Sequence, residues 1–306
     1  DARVVEEETL SLFEAFHSKE EEKNLGVFQA SSSKQSLSSL SELFRSSKQL
    51  KEGNRGGFVD ESFPDSWQSI LGFSISRNIL ERDAKENFSW TNPSGPEWKL
   101  LGKVEDAGIY PGILGDSHLQ AALASLSYSP KAIERLLLSR EPERANEDFV
   151  SVAICIDGIW EEVPVGLNLP VSHSTGRLAF TASEPEALWV PYLEKAYAKA
   201  FGGYSNLAFG LPREVLRDLT GAPTQTTLIS VEHREKLWKK MFHAKKEGHF
   251  VVGGSDDLDY GGEAFIEKVG VVGRFSYVIL GCFEVEEVEG GWTLFKPEAR
   301  EGPRGK

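Results

Sequence analysis

Residues 112–126 (GILGDSHLQAALASL) carry the clearest chemical signal, a glycine-rich turn that leads directly into a helix. The first turn of a helix has backbone N–H groups without internal partners and carries the positive end of the helix dipole. Such a position stabilises a thiolate nucleophile or the oxyanion of an acyl-transfer reaction. Ser117 stands at the start of this helix. The pattern therefore points to nucleophilic chemistry, with Ser117 as the residue to be judged.

The same segment resembles the catalytic motif of the calpain-type cysteine proteases, which reads Gln, then Gly-x-Leu-Gly-Asp-Cys-Trp and an alanine-rich helix. Other segments are similar to further motifs of that family, in the family's order. They are residues 58–64 (FVDESFP), 88–93 (FSWTNP), 157–165 (DGIWEEVPV), 188–204 (LWVPYLEKAYAKAFGGY), 218–221 (DLTG) and 270–278 (GVVGRFSYV). The resemblance implies an α+β, papain-like cysteine proteinase fold, with a helical lobe and a β lobe around a cleft.

The positions that carry catalysis in that family are all changed here. Ser117 stands at the position of the nucleophilic cysteine, Pro111 at that of the oxyanion-donating glutamine and Arg274 at that of the catalytic histidine. His118 replaces the tryptophan after the nucleophile. The family's Asn-Pro-Trp motif should fall near residues 296–300, which read KPEAR and contain neither Asn nor Trp.

Each replacement removes one chemical function. A serine hydroxyl has almost no alkoxide at neutral pH and needs a neighbouring base. Arginine has a pKa above about 12 and cannot accept the proton, and proline has no side-chain amide for an oxyanion. The sequence therefore predicts a degenerate, inactive protease homologue that has no catalytic residues.

The same residues also have structural readings. Ser117 and Gln120 have the spacing of a capping box, and Asp116 is an alternative helix cap. His118 is predicted to pack rather than to act as a substitute base, because neighbouring helix residues do not face each other. Arg274 would either bind an anionic group in the cleft or pair with a carboxylate, Asp116 or Glu298, and the pair is the favoured interpretation.

An acidic loop at residues 255–263 (SDDLDYGGE) is the weak candidate for calcium, with Asp256, Asp257 and Asp259 as ligands. The loop lacks the ligand spacing of an EF-hand, so a solvated acidic loop is the prediction. The family resemblance implies calcium binding in the protease core but does not place the ligands on this chain. No other cofactor is expected.

Apolar periodicity predicts the elements that position these residues. Helices are predicted over residues 117–128, 187–201 and 232–246, and strands over 149–156, 160–165, 249–253, 269–272, 275–280, 282–288 and 292–295. The domains expected are an N-terminal extension (1–56), a helical lobe (57–209) and a β lobe (210–306) that lacks its last strands.

The extension combines an amphipathic helix over residues 4–18, acidic runs at Glu6–Glu8 and Glu20–Glu22, and a Ser/Lys-rich linker. Two interpretations are equally favoured: a clamp that packs on a neighbouring surface, and a flexible, solvated tail. The lysines of the third predicted helix are typical of a solvated face, with a partner contact as the alternative.

Composition limits the classes of function. The 306-residue chain has a net charge of −13, which disfavours nucleic acid as a partner, and it has no apolar run long enough for a membrane helix. Only two cysteines, Cys155 and Cys282, are present, so a disulfide framework is excluded and both are expected to be buried thiols. Free cysteines and acidic charge predict an intracellular location, either cytoplasm or an organelle interior after removal of a targeting peptide. The first residue, Asp1, fits removal of such a segment or numbering that starts inside a longer chain.

These observations predict a non-catalytic calpain-like pseudoprotease, a protein-binding scaffold or accessory subunit of a larger assembly. The cleft would still accept an extended peptide or a partner's loop. Two alternatives stay open: a serine-type hydrolase that uses Ser117 with an unexpected base, and a calcium-responsive binding module.

Overall fold

The computed structural model describes residues 58–72, 86–105, 107–139, 148–229, 234–255, 273–283, 285–288 and 291–294. Within these ranges the helices are α1 (Trp67–Leu71), α2 (Ser117–Ser127), α3 (Pro130–Leu136), α4 (Trp189–Ala200), α5 (Pro212–Thr220) and α6 (Arg234–Lys246). The strands are β1 (Phe88–Thr91), β2 (Phe149–Ile156), β3 (Ile159–Gly166), β4 (Leu169–Ser172), β5 (Val252–Gly254), β6 (Ser276–Val278), β7 (Val285–Val288) and β8 (Gly291–Leu294). The predicted extension, residues 1–56, lies outside the described residues.

The three predicted helices are confirmed as α2, α4 and α6, but their environments differ. Ten residues of α2 are buried, and ten of α4. A helix that is buried on all sides belongs to the core, and the small residues of α2 allow its neighbours to approach closely. None of the residues of α6 is buried. The described helices include none that is long and apolar enough to cross a bilayer.

Strands pair as four two-stranded antiparallel sheets: β1 with β4, β2 with β3, β5 with β6, and β7 with β8. The predicted strands over 149–156 and 160–165 are confirmed as the β2–β3 hairpin, in whose turn Asp157 (φ 50°) and Gly158 (φ 84°) both have left-handed backbones. This is the backbone that a two-residue type I′ turn requires. Helices precede the C-terminal strands, so the fold class is α+β as predicted. The predicted strand over 269–272 lies outside the described residues.

One buried cluster joins the helices to the β2–β3 hairpin. Leu123 of α2, Val152 of β2, Leu193 of α4 and Leu219 of α5 all belong to it. Helix α5 thus packs with the helical elements although it follows the expected lobe boundary at residues 209 and 210. The division into lobes itself remains a prediction.

Two lysines of α4 form ion pairs with the segment that precedes α1. Lys199 Nζ donates hydrogen bonds to both carboxylate oxygens of Asp60, at 2.7 and 2.8 Å. Lys195 is 0% exposed, and its Nζ lies 3.3 Å from Asp65 Oδ1. This explains why acidic residues recur in the FVDESFPD segment: they neutralise two cations that α4 carries into the core.

Candidate functional site

The glycine-rich turn before α2 is held against the segment that contains Phe180. Tyr110 and Ala182 form an antiparallel bridge, with N···O distances of 2.8 and 2.9 Å. A Cβ atom on Gly112 would overlap the backbone of Phe180, so only glycine fits there. The turn therefore fixes the position of Ser117 at the start of α2.

Ser117 faces the β6 segment across the cleft. Its Oγ accepts a hydrogen bond of 3.2 Å from the backbone N–H of Ser276, and the residue is 9% exposed. Arg274 lies two residues before Ser276, so the fold brings the predicted positions Ser117 and Arg274 to facing segments. The hydroxyl is an acceptor in this contact.

Arg274 itself is exposed and has a left-handed backbone, with φ of 50°. A non-glycine residue adopts this conformation only where its surroundings hold it there. The next residue is bonded to Ser255, which follows β5: Ser255 Oγ accepts from Phe275 N–H and donates to Phe275 O, both at 3.1 Å. The start of β6 is thus tied to the end of β5 beside Ser117.

The predicted ion pair between Arg274 and Asp116 is wrong, because Asp116 is completely buried and bonds to other side chains. Glu298, the alternative partner, lies outside the described residues. Pro111 is exposed at the edge of the turn. It stands at the predicted oxyanion-donor position and has no side-chain donor to place there.

His118 is buried, as predicted for a packing role, at 5% exposed. Its ring lies against Gly210, where even a Cβ atom would overlap Nε2. Burial lowers the pKa of His118 to about 4, so the ring is neutral at pH 7. A proton acceptor this weak and this enclosed is a poor base for its neighbour Ser117.

The capping box predicted for Ser117 and Gln120 is wrong. The N-cap residue of α2 is Asp116, and its side chain makes no capping hydrogen bond to the helix backbone. Gln120 Nε2 instead donates to Asp116 Oδ1 at 2.7 Å and to Thr181 Oγ1 at 3.1 Å. Both side chains are used for tertiary contacts that the local spacing does not reveal.

A buried polar cluster supports the start of α2: Asp116, Gln120, Thr181 and Glu194 of α4. The backbone N–H of Thr181 donates to both carboxyl oxygens of Glu194, at 2.9 and 3.1 Å, and its hydroxyl donates to Asp116 Oδ2 at 3.4 Å. The carboxyl groups of Asp116 and Glu194 both contact Thr181, and each shifts the pKa of the other. Two neighbouring buried carboxyls do not readily ionise together, so we expect the pair to hold one proton at neutral pH.

Burial raises the pKa of both carboxyls, and the neighbouring negative charge of Asp116 raises the pKa of Glu194 further, well above its usual value.

The sequence analysis did not identify Thr181 or Glu194 as members of the site. The available signal for Glu194 was its place on the apolar face of a helix, between Val190 and Tyr197, where a carboxylate needs a partner. No feature of the sequence around Thr181 indicated its place in the cluster.

Metal-ligating side chains do not gather in the described part of the chain: no three His, Cys, Asp or Glu residues there are placed to hold an ion. The candidate calcium ligands Asp256, Asp257 and Asp259 lie outside the described residues, as do residues 296–300. Cys155 and Cys282 are buried free thiols, as predicted.

A glycine-rich turn that leads into a core helix, with a strand in contact with the start of that helix, is the arrangement expected of a papain-like α+β protease fold. Comparison with known families agrees: the model of the calpain family cysteine protease matches residues 58–296. This chain belongs to the calpain family of cysteine proteases, and the predicted resemblance and fold class are confirmed.

Individual relatives include the calpain-type cysteine protease DEK1 of Zea mays, which is 34% identical over 257 residues, or 79% of this chain. The calpain-type cysteine protease ADL1 of Oryza sativa subsp. japonica is 30% identical over 257 residues, also 79% of this chain. Calpain-10 of Rattus norvegicus is 30% identical over 177 residues, 54% of this chain and 25% of its own length. The chain spans 11% of the length of the two plant relatives.

Proposed function

We propose that this calpain-family chain is a non-catalytic, protein-binding pseudoprotease, an accessory or scaffolding subunit of a larger assembly. The observation that carries the proposal is the contact of Ser117 Oγ with the amide of Ser276, beside a position where arginine replaces a base. The relatives are named as proteases, but an arginine cannot take the proton that a serine nucleophile must lose.

The immediate surroundings of the hydroxyl support this proposal. The amide of Ser276 donates to Oγ, which is the opposite of what a general base does. The ring of His118, one residue along the helix, is turned against Gly210. Pro111 adds no donor for an oxyanion. We propose no cofactor for this site.

Binding is supported by apolar side chains that border the start of α2. Phe209 is 60% exposed and Leu211 47%, on either side of the glycine that packs on His118. Ile113 in the turn and Phe275 beside Ser276 are 39% and 37% exposed. Exposed apolar side chains on several segments near one helix start are typical of a contact surface. The occupant we propose is an extended segment of a protein partner, inside the cell, in the cytoplasm or an organelle.

The first prediction concerns turnover. The purified full chain should not hydrolyse casein or a mixed peptide library, with or without Ca²⁺, and Ser117→Ala should leave that background unchanged. A fluorophosphonate probe should not label Ser117, because no base removes its proton. An active calpain-type protease assayed in parallel is the positive control. Proteolysis that Ser117→Ala abolishes, or a labelled Ser117, would establish the serine-hydrolase alternative and reject the proposal.

The second prediction concerns the cleft as a contact surface. Phe209→Asp should weaken association with co-purified partner proteins by about 2 kcal/mol, or roughly thirtyfold, since central aromatic side chains dominate such interfaces. The matched control is Ile159→Asp, which changes a 65% exposed side chain at the β2–β3 turn. Quantitative mass spectrometry of affinity-isolated wild-type and variant chains measures the difference. Equal recovery of partners with both variants would show that the cleft does not bind them.

A further inference from the structure

Helix α6 has a surface that differs from that of the other long helices. Its thirteen residues include six basic side chains and one acidic, a net charge of +5, within a chain of net charge −13. The basic residues are Arg234, Lys236, Lys239, Lys240, Lys245 and Lys246. This concentration of positive charge is typical of a helix that meets an acidic partner.

The apolar side of α6 is only partly covered. Leu237, Trp238, Met241 and Phe242 are all half-buried, whereas the corresponding side chains of α2 and α4 are buried. The rings of Trp238 and Phe242 are one turn apart, with centroids separated by 6.0 Å. Aromatic and methionine side chains in this state are typical of the centre of a protein interface. A segment that fits here must be apolar on one side and acidic on the other.

The N-terminal segment of the chain has this pattern. Residues 1–28 carry eight acidic and three basic side chains, a net charge of −5 that opposes the charge of α6. Val5, Leu12, Phe13 and Phe16 recur at helical spacing within them, next to the acidic runs. We infer that residues 4–22 dock as an amphipathic helix on α6 of the same chain, with their apolar side on Trp238 and Phe242.

The connection is long enough for this contact. Residues 29–57 separate the segment from Phe58, and 29 residues extend to at most about 100 Å. A folded domain of about 240 residues has a radius of gyration of only about 18 Å, so the segment reaches any part of the surface. Tethering supplies an effective concentration of about a millimolar, so even a weak contact is populated. This inference goes beyond the proposed function and holds whether or not the cleft is catalytic.

Carbodiimide cross-linking of the full chain tests the inference, because it joins carboxylates and lysines only where they form close ion pairs. Mass spectrometry should find the carboxylates of residues 6–22 joined mainly to lysines of α6. Mixing ¹⁴N- and ¹⁵N-labelled chains should show the links within single chains. The yield should fall about tenfold in 0.5 M NaCl, because the attraction is between exposed charges.

Substitutions in α6 and in the N-terminal segment distinguish docking of residues 4–22 on α6 from chance contact. Lys239→Glu with Lys246→Glu should reduce the links to the remaining α6 lysines about tenfold, and Glu7→Lys with Glu14→Lys should restore them. Leu12→Asp, which keeps every lysine, should also reduce them. The matched control reverses two exposed lysines elsewhere, Lys99→Glu with Lys131→Glu, and should change nothing. Links spread over all exposed lysines, links between differently labelled chains, or links insensitive to Leu12→Asp would each overturn the inference.

Discussion

Replacing Glu194 with alanine is expected to lower the free energy of unfolding by about 3–5 kcal/mol, as for other broken buried polar networks. The substitution leaves the amide of Thr181 without both of its acceptors and leaves the buried carboxyl of Asp116 without its proton-sharing partner. Urea denaturation measures the loss.

The matched control for this change is Glu134→Ala, an exposed glutamate within α3, which should stay within about 0.5 kcal/mol of the wild type. If the two alanine variants unfold at the same urea concentration, the buried cluster does not stabilise the fold as described.

Glu194→Gln tests the shared proton itself. A raised folded pKa means that the folded chain keeps a proton that the unfolded chain releases above its usual pKa of 4.5. The resulting stabilisation is complete below that value and is lost as pH rises, by at most about 1.4 kcal/mol per pH unit for one proton. Glutamine copies the protonated acid, since its amide donates to Asp116 and its oxygen accepts from Thr181.

Unfolding measured from pH 4 to pH 8 should therefore show the glutamine variant gaining stability relative to the wild type as the pH rises. Carboxylates other than Asp116 titrate in the same way in both proteins and cancel in the difference. A constant difference across this range would show that Glu194 ionises normally and that the pair shares no proton.

Lys195→Met should be the second large effect, a loss of about 3 kcal/mol, because partly buried acceptors lose a charged donor that is itself fully buried. Lys195 Nζ donates to the carbonyl oxygens of Gly166 and Asn168, at 2.9 and 2.5 Å, and pairs with Asp65. Burial lowers the pKa of Lys195 and Asp65 opposes that shift. Methionine fills a similar volume but satisfies none of these oxygens.

Lys131→Met is the control, since Lys131 is an exposed lysine on α3. Thermal and urea unfolding should place this variant within about 0.5 kcal/mol of the wild type. Hydrogen exchange should also show faster opening of residues 58–66 in Lys195→Met alone, because that segment is fastened to α4 through Asp65. An unchanged segment would mean that Lys199 and Asp60 suffice to hold it.

The regular elements were predictable where local pattern and final environment agree. Helices α2 and α4 follow from runs of small and apolar residues at helical spacing, and the β2–β3 hairpin follows from the Asp157-Gly158 turn between apolar strands. The short helices α1, α3 and α5 and the β1–β4 pair were not predicted. Five to nine residues carry too little periodicity, and the partners of β1 and β4 are separated by some 80 residues of sequence.

The candidate site was also predictable only in part. Pro111, Ser117 and Arg274 were located from the order of motifs alone, and the structure places Ser117 and the β6 segment together. The partner assigned to Ser117 was wrong, since a backbone amide contacts the hydroxyl, and of the two partners assigned to Arg274 Asp116 is excluded because it is enclosed elsewhere. A spacing of three residues identifies neighbours on a helix, but it does not say whether a distant segment offers a better partner.

The sequence by itself determined the family, the α+β class and the chemical identity of the residues at the nucleophile and base positions. These depend on residue type and chain order, which are visible without coordinates. Only the tertiary structure decided that Ser117 accepts a bond from Ser276, that His118 is held neutral by burial, and that Asp116 and Glu194 are buried together with raised pKa values. Hydrogen-bond direction and pKa depend on which groups meet and how far water is excluded, and folding sets both by bringing together segments that are far apart in the chain.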